Sequence, residues 1–169
     1  MSGQTKSSIK KELVVKASQK TAFEIFTQKM DLWWPRSHHI GGDKKMTAMI
    51  LEPKPGGRWY SAHEDQSQCD CGHVLHWEPN SRLVLNWQIN DEFKFDPQLR
   101  TEVEILFIPQ GPETTLVKFE HRDLERMGET GRHVAGMDQG WGLILELYRQ
   151  QAQGTWSAKD AEIYGRLSV

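Results

Sequence analysis

The chain has 169 residues, with 21 Lys plus Arg against 23 Asp plus Glu and a net charge of −2. That length fits one domain with its own core, expected over 1–169 with a body at 9–152 and a tail at 153–169. The charge balance gives no reason for a nucleic-acid or acidic-membrane partner, and no run approaches the roughly 20 apolar residues of a membrane span.

The first eight residues, Met1 to Ser8, lack the apolar segment of a secretion signal, so a soluble, cytoplasmic protein is expected. Ile9 to Lys16 alternates, with Ile9, Lys11, Leu13 and Val15 in one phase, and predicts a strand. Ser18 then offers an N-cap for a helix over Gln19 to Gln28, where Ala22, Phe23, Ile25 and Phe26 fall at helical spacing. Trp33-Trp34-Pro35 breaks it. His38 to Lys45, with Gly41-Gly42 and no period, predicts a loop.

Six strands follow by pattern: Met46 to Glu52, Arg58 to Glu64, Cys69 to Trp77, Arg82 to Ile89, Thr101 to Ile108 and Thr114 to Arg122. Pro53-Lys54-Pro55-Gly56-Gly57, Pro79-Asn80-Ser81 and Pro109-Gln110-Gly111-Pro112 supply turn chemistry, and Gly56-Gly57 provides positive φ without a Cβ penalty. The last element is a helix over Gly131 to Gln151, whose stripe Trp141, Ile144, Leu145 and Tyr148 must be buried. Beyond it, Trp156, Ile163 and Tyr164 belong to no long pattern.

The order strand, short helices, six strands, long helix predicts an α+β fold: a curved antiparallel sheet of about seven strands wrapped around the terminal helix. Alternation puts Leu83, Leu85, Trp87 and Ile89 on one side of their strand. It groups Val103, Ile105 and Phe107 on the next, and Thr115, Val117, Phe119 and His121 on the last.

Trp33-Trp34-Pro35, Pro55-Gly56-Gly57-Arg58-Trp59, Gly72-x-Val74-Leu75-x-Trp77-Glu78-Pro79, Arg82-Leu83-Val84-Leu85-x-Trp87 and Gly140-Trp141 together resemble the SRPBCC (START-like, polyketide cyclase) superfamily. The branch they resemble is that of homologues of the activator of the heat-shock-protein-ninety ATPase. The resemblance implies a helix-grip fold with a pocket between sheet and helix. From it and the strand phases, the expected ligand-cavity residues are Trp33, Trp34, Tyr60, Glu64, His73, Trp87, Val103, Ile105, Phe107, Phe119, His121, Trp141 and Leu145. Such a wall suits a small apolar or aromatic ligand.

No Gly-x-Ser-x-Gly, phosphate loop or cofactor motif occurs, so no cofactor is expected. His121, with Glu64 or His73 on neighbouring strands, is the candidate proton carrier should the cavity catalyse; otherwise it is a hydrogen-bonded structural or ligand-orienting group. His63, Cys69, Cys71, His73 and His76 form the densest group of potential metal ligands. Cys-x-Cys on a strand splays its sulfurs and His76 falls out of phase with His73, so neither a metal nor a disulfide is expected. Ligand binding without catalysis is therefore the leading expectation. A protein-interaction role, on a chaperone or as a homodimer through aromatics such as Trp156 and Tyr164, is the second, and a cavity enzyme of cyclase or hydrolase type the third.

Overall fold

The computed structural model describes residues 8–35, 44–90, 94–127 and 131–155, with side chains at all of these but 127 and 131–135. Most of the expected loop between His38 and Lys45 lies outside these residues, as do Trp156, Ile163 and Tyr164. β1 (Ile9–Val15) buries its two ends and leads through Ala17 into α1 (Gln19–Thr27). Ser18 starts that helix as its pattern predicts: its Oγ accepts the Thr21 N–H at 3.1 Å, satisfying a first-turn donor that has no partner within the helix. Ala22, Phe23 and Phe26 form the buried face of α1. A single 3-10 turn, Met30–Leu32, follows, and Asp31 accepts the backbone N–H of Met49 at 3.0 Å.

The next strands are β2 (Met46–Leu51), β3 (Arg58–His63), β4 (Gln68–Glu78), β5 (Arg82–Trp87), β6 (Thr101–Gly111) and β7 (Thr114–Arg122). All pair antiparallel in the order β1-β7-β6-β5-β4-β3-β2. β2 to β7 is thus a meander, and the connection carrying α1 crosses from one sheet edge to the other.

The curved sheet grips α2 (Gly131–Gln153), which buries Trp141, Ile144, Leu145, Leu147 and Tyr148. Tyr148 fixes the helix layer by donating its hydroxyl to the Ala22 carbonyl of α1 at 2.8 Å. This is the helix-grip fold. No helix among the described residues is long and apolar enough to cross a membrane.

Simple alternation holds in β7 and in β6 as far as Pro109, and fails in β4. That strand carries an extra residue at Cys71 against β3 and another at Leu75 against β5. Each bulge flips the side chains beyond it to the other face. Cys69 faces inward opposite Ser61, His73 faces outward opposite Arg58, and His76 faces outward too, although counting by twos separates it from His73. The first bulge also sets Gly72 between Trp59 and Trp87 on the inner face. A Cβ at Gly72 would lie 1.6 Å from the Asn86 carbonyl oxygen, so only glycine fits there.

Candidate ligand-binding face

With no side chain at Gly72, the indoles of Trp59 and Trp87 meet across β4, their ring centroids 5.4 Å apart. Trp34, set by the 3-10 turn, reaches Trp59 at 5.9 Å and Trp141 of α2 at 6.0 Å. Trp141 in turn meets Trp87 at 5.4 Å and Phe119 at 4.6 Å. Most of these contacts are edge-to-face, the arrangement that aromatic quadrupoles favour. The outcome is a continuous aromatic cluster between sheet and helix, built from four tryptophans on four separate segments.

His121 is fully buried at the edge of this cluster. Trp141 Nε1–H donates to its Nδ1 at 3.1 Å, and because an indole can only donate, that nitrogen must be the unprotonated one. The proton therefore sits on Nε2, which donates to Thr101 Oγ1 at 2.9 Å, and Thr101 passes its own hydrogen to the Trp87 carbonyl at 2.8 Å. Both ring nitrogens are engaged. Burial disfavours the charged form and holds the imidazole at about 3, against an ordinary value near 6.5. Around neutral pH this is a neutral histidine that ties α2 to β5, β6 and β7. To accept a further proton it would have to give up the Trp141 bond.

The other expected cavity residues divide into three groups. Val103 and Ile105 line the same inner face, and Leu145 is buried on α2. Trp33 and Phe107 belong to a neighbouring cluster under α1: Trp33 packs on Phe26 and Tyr148 and donates to the Ile25 carbonyl at 2.7 Å, while Phe107 packs on Phe23 and Phe26. Tyr60, Glu64 and His73 lie away from the cluster. Tyr60 is on the outer face beneath the Arg58 guanidinium, 4.1 Å from its ring centroid. His73 donates outward to Gln88 Oε1 at 3.1 Å, and Glu64 occupies an exposed turn.

Four participants were not among the expected cavity residues. Trp59 takes the inward position on β3 that the pattern assigned to Tyr60, because aromatic residues occupy both phases of that short strand and only pairing with Gly72 decides between them. Thr101 orients His121. Ser61 and His63 continue the inward phase of β3, with Ser61 Oγ 3.3 Å from His63 Nε2. Alternation from Trp59 would have found both.

The five potential metal ligands do not converge: Cys69 points inward while His73 and His76 point outward. No group of three or more His, Cys, Asp or Glu able to hold a metal occurs among the described residues. Cys69 and Cys71 are free thiols, and burial raises Cys71 well above the usual thiol range.

The sequence profile of the family described as "Activator of Hsp90 ATPase homolog 1-like protein" matches residues 16–149. No curated protein matches the chain. Among solved structures, "An anthrahydroquino-Gama-pyrone synthase Txn09 complexed with SUM" is 26% identical, with a TM-score of 0.56 and coverage of 94% of this chain and 95% of that one. The self-sacrificing resistance protein CalC from Micromonospora echinospora is 27% identical, with a TM-score of 0.65 and coverage of 89% and 97%. The protein MLL2253 from Mesorhizobium loti, 19% identical with a TM-score of 0.64 and coverage of 89% and 100%, shares the fold.

Proposed function

The chain belongs to the activator of Hsp90 ATPase homologue 1-like family, within the SRPBCC superfamily, and on that premise we propose that it binds a small apolar or amphipathic ring compound between sheet and α2 without turning it over. The observation that carries this reading is the cluster of Trp34, Trp59, Trp87, Trp141 and Phe119. Ring ligands stack on such faces, and a largely aromatic wall with few polar points is the chemistry of small-molecule sites. The 26% identical synthase, whose name points to a fused aromatic pyrone, supports the same ligand class.

His121 favours holding over turnover. Its two nitrogens are committed to Trp141 and Thr101, and burial keeps its basicity far below that of a general base matched to neutral pH. Its role in this reading is to set the angle of Trp141. Native mass spectrometry of gently purified protein tests the proposal: a co-purified organic mass, lost on partial unfolding, is the expected result. Protein that carries no such mass and takes up no added ring compound would overturn it.

A second reading rests on the outer face, where Val14 and Ile108 flank Leu116 in register and are 49% and 37% exposed. An apolar row of this kind suits association with a chaperone or a second copy. Val14→Asp with Ile108→Asp would abolish that association if the row mediates it. A strictly monomeric wild-type protein without effect on the chaperone's ATPase would remove this reading.

A further inference from the structure

Three of the interior indoles, two buried and that of Trp87 partly so, have their N–H groups satisfied. Trp33 donates to the Ile25 carbonyl, Trp87 to the Ile89 carbonyl at 3.1 Å, and Trp141 to His121. Trp59 does not. It is 1% exposed, and among the described residues its Nε1–H has no hydrogen-bond partner. An indole nitrogen can only donate, so no change of tautomer or rotation of a hydrogen removes the deficit. A buried donor left unmade is costly, and the aromatic faces of Trp34 and Trp87 beside it are at best weak acceptors.

The position cannot easily relax either. Trp59 is held by pairing on both sides: Leu51 of β2 faces it from one strand and Gly72 of β4 from the other. Toward the end of β3 the inner face turns polar, with the Ser61 hydroxyl and His63 imidazole succeeding Trp59 at alternate positions. The strand face that carries this unused donor thus also carries a hydroxyl and an imidazole, whereas Val103, Ile105 and Phe119, buried on β6 and β7, are apolar.

We propose that Trp59 Nε1–H is the specificity-determining donor of the ligand site, and that it selects ring compounds bearing a carbonyl or comparably strong oxygen acceptor. This rests on the ligand-binding reading above and narrows it from apolar rings in general to oxygenated ones. The acceptor sits at the Nε1 edge of Trp59, and the hydrocarbon rings lie on Trp34 and Trp87. A ligand of equal shape without the oxygen gains the stacking but leaves the donor unpaired.

The test compares two probes of similar size, chromone, which has a ring carbonyl, and naphthalene, which has none, by following the indole N–H signals of nitrogen-15-labelled full-length protein. Trp59→Phe identifies the Trp59 signal by its disappearance. Chromone is expected to move that signal downfield, as hydrogen bonding does, while naphthalene shifts the neighbouring indoles by ring current and leaves it without the downfield move. Trp59→Phe should weaken chromone about tenfold and naphthalene no more than about twofold, the loss expected for one hydrogen bond. If both probes shift the cluster signals alike and Trp59→Phe weakens both equally, the donor role is wrong and the ligand-binding reading stands. If neither probe perturbs any indole, the ligand-binding reading fails and takes this inference with it. Where Trp59→Phe folds poorly, nuclear Overhauser contacts from its indole N–H to neighbouring residues assign the Trp59 signal in the wild-type protein, whose spectra then decide between these outcomes.

Discussion

His121 and Gly72 are the two residues whose chemistry does most to set the interior, and each makes a prediction. In the unfolded chain an imidazole titrates near 6.5, whereas the buried His121 titrates at about 3. Between those values the unfolded chain binds a proton that the folded one refuses, so stability is full above about pH 6.5 and falls as the pH drops. The slope for one such group is about 1.4 kcal/mol per pH unit. His121→Gln can keep both hydrogen bonds and does not titrate. Urea unfolding between pH 6.5 and 5 should therefore show a shallower loss of stability in the variant by about that slope, and equal slopes would mean that His121 is protonated in the fold. At Gly72, where a Cβ would meet the Asn86 carbonyl at 1.6 Å, Gly72→Ala should cost about 3 kcal/mol or more, because backbone rather than a flexible side chain must move. Gly56, at φ 79° with open space around it, should lose only about 1 kcal/mol on the same substitution. The two chemical denaturation curves check the ranking.

Among the elements, α1 and α2 depend on single polar contacts at their ends and crossing. Ser18→Ala removes the cap of α1 and should cost about 1 kcal/mol. Tyr148→Phe leaves its ring packed against Phe26 and Trp33 but strips the Ala22 carbonyl of its hydroxyl donor, an expected loss of about 1–2 kcal/mol in thermal or urea unfolding. These elements were legible in the sequence because their signals are local: the Ser18 cap, the stripe through Trp141, Ile144, Leu145 and Tyr148, and the Pro, Gly and Asn turns between strands. Within β6 and β7 the facing of each side chain was legible too. β4 was not, because a bulge leaves no mark in its own residues. The extra residue at Cys71 is defined only by pairing with β3, and it alone puts Gly72, rather than a side chain, between Trp59 and Trp87. The same shift sent His73 outward and left Trp59, not Tyr60, on the inner face. Thr101 was missed for a related reason, since its link to His121 spans two strands that are neighbours in space only.

For the whole molecule, the sheet and α2 enclose an interior of two adjoining aromatic groups, to which the proposal gives different tasks. The group under α1, with Phe23, Phe26, Trp33, Phe107 and Tyr148, joins both helices to the sheet and has its polar atoms paired. The group around Trp34, Trp59, Trp87 and Trp141 contains the unpaired indole and borders the polar end of β3, and it is the site of the proposed ligand. If that division is right, Phe26→Leu should lower stability by about 1–3 kcal/mol while leaving ring-compound affinity within about twofold. Trp87→Leu should weaken binding by far more than its effect on folding explains. The central claim, that the tryptophan face receives a ring ligand, is tested most directly by titrating the wild-type protein with 1-anilinonaphthalene-8-sulfonate while exciting tryptophan. The account predicts saturable energy transfer to a single bound probe, competed by chromone. Emission that never saturates, or no transfer at any probe concentration, would contradict it.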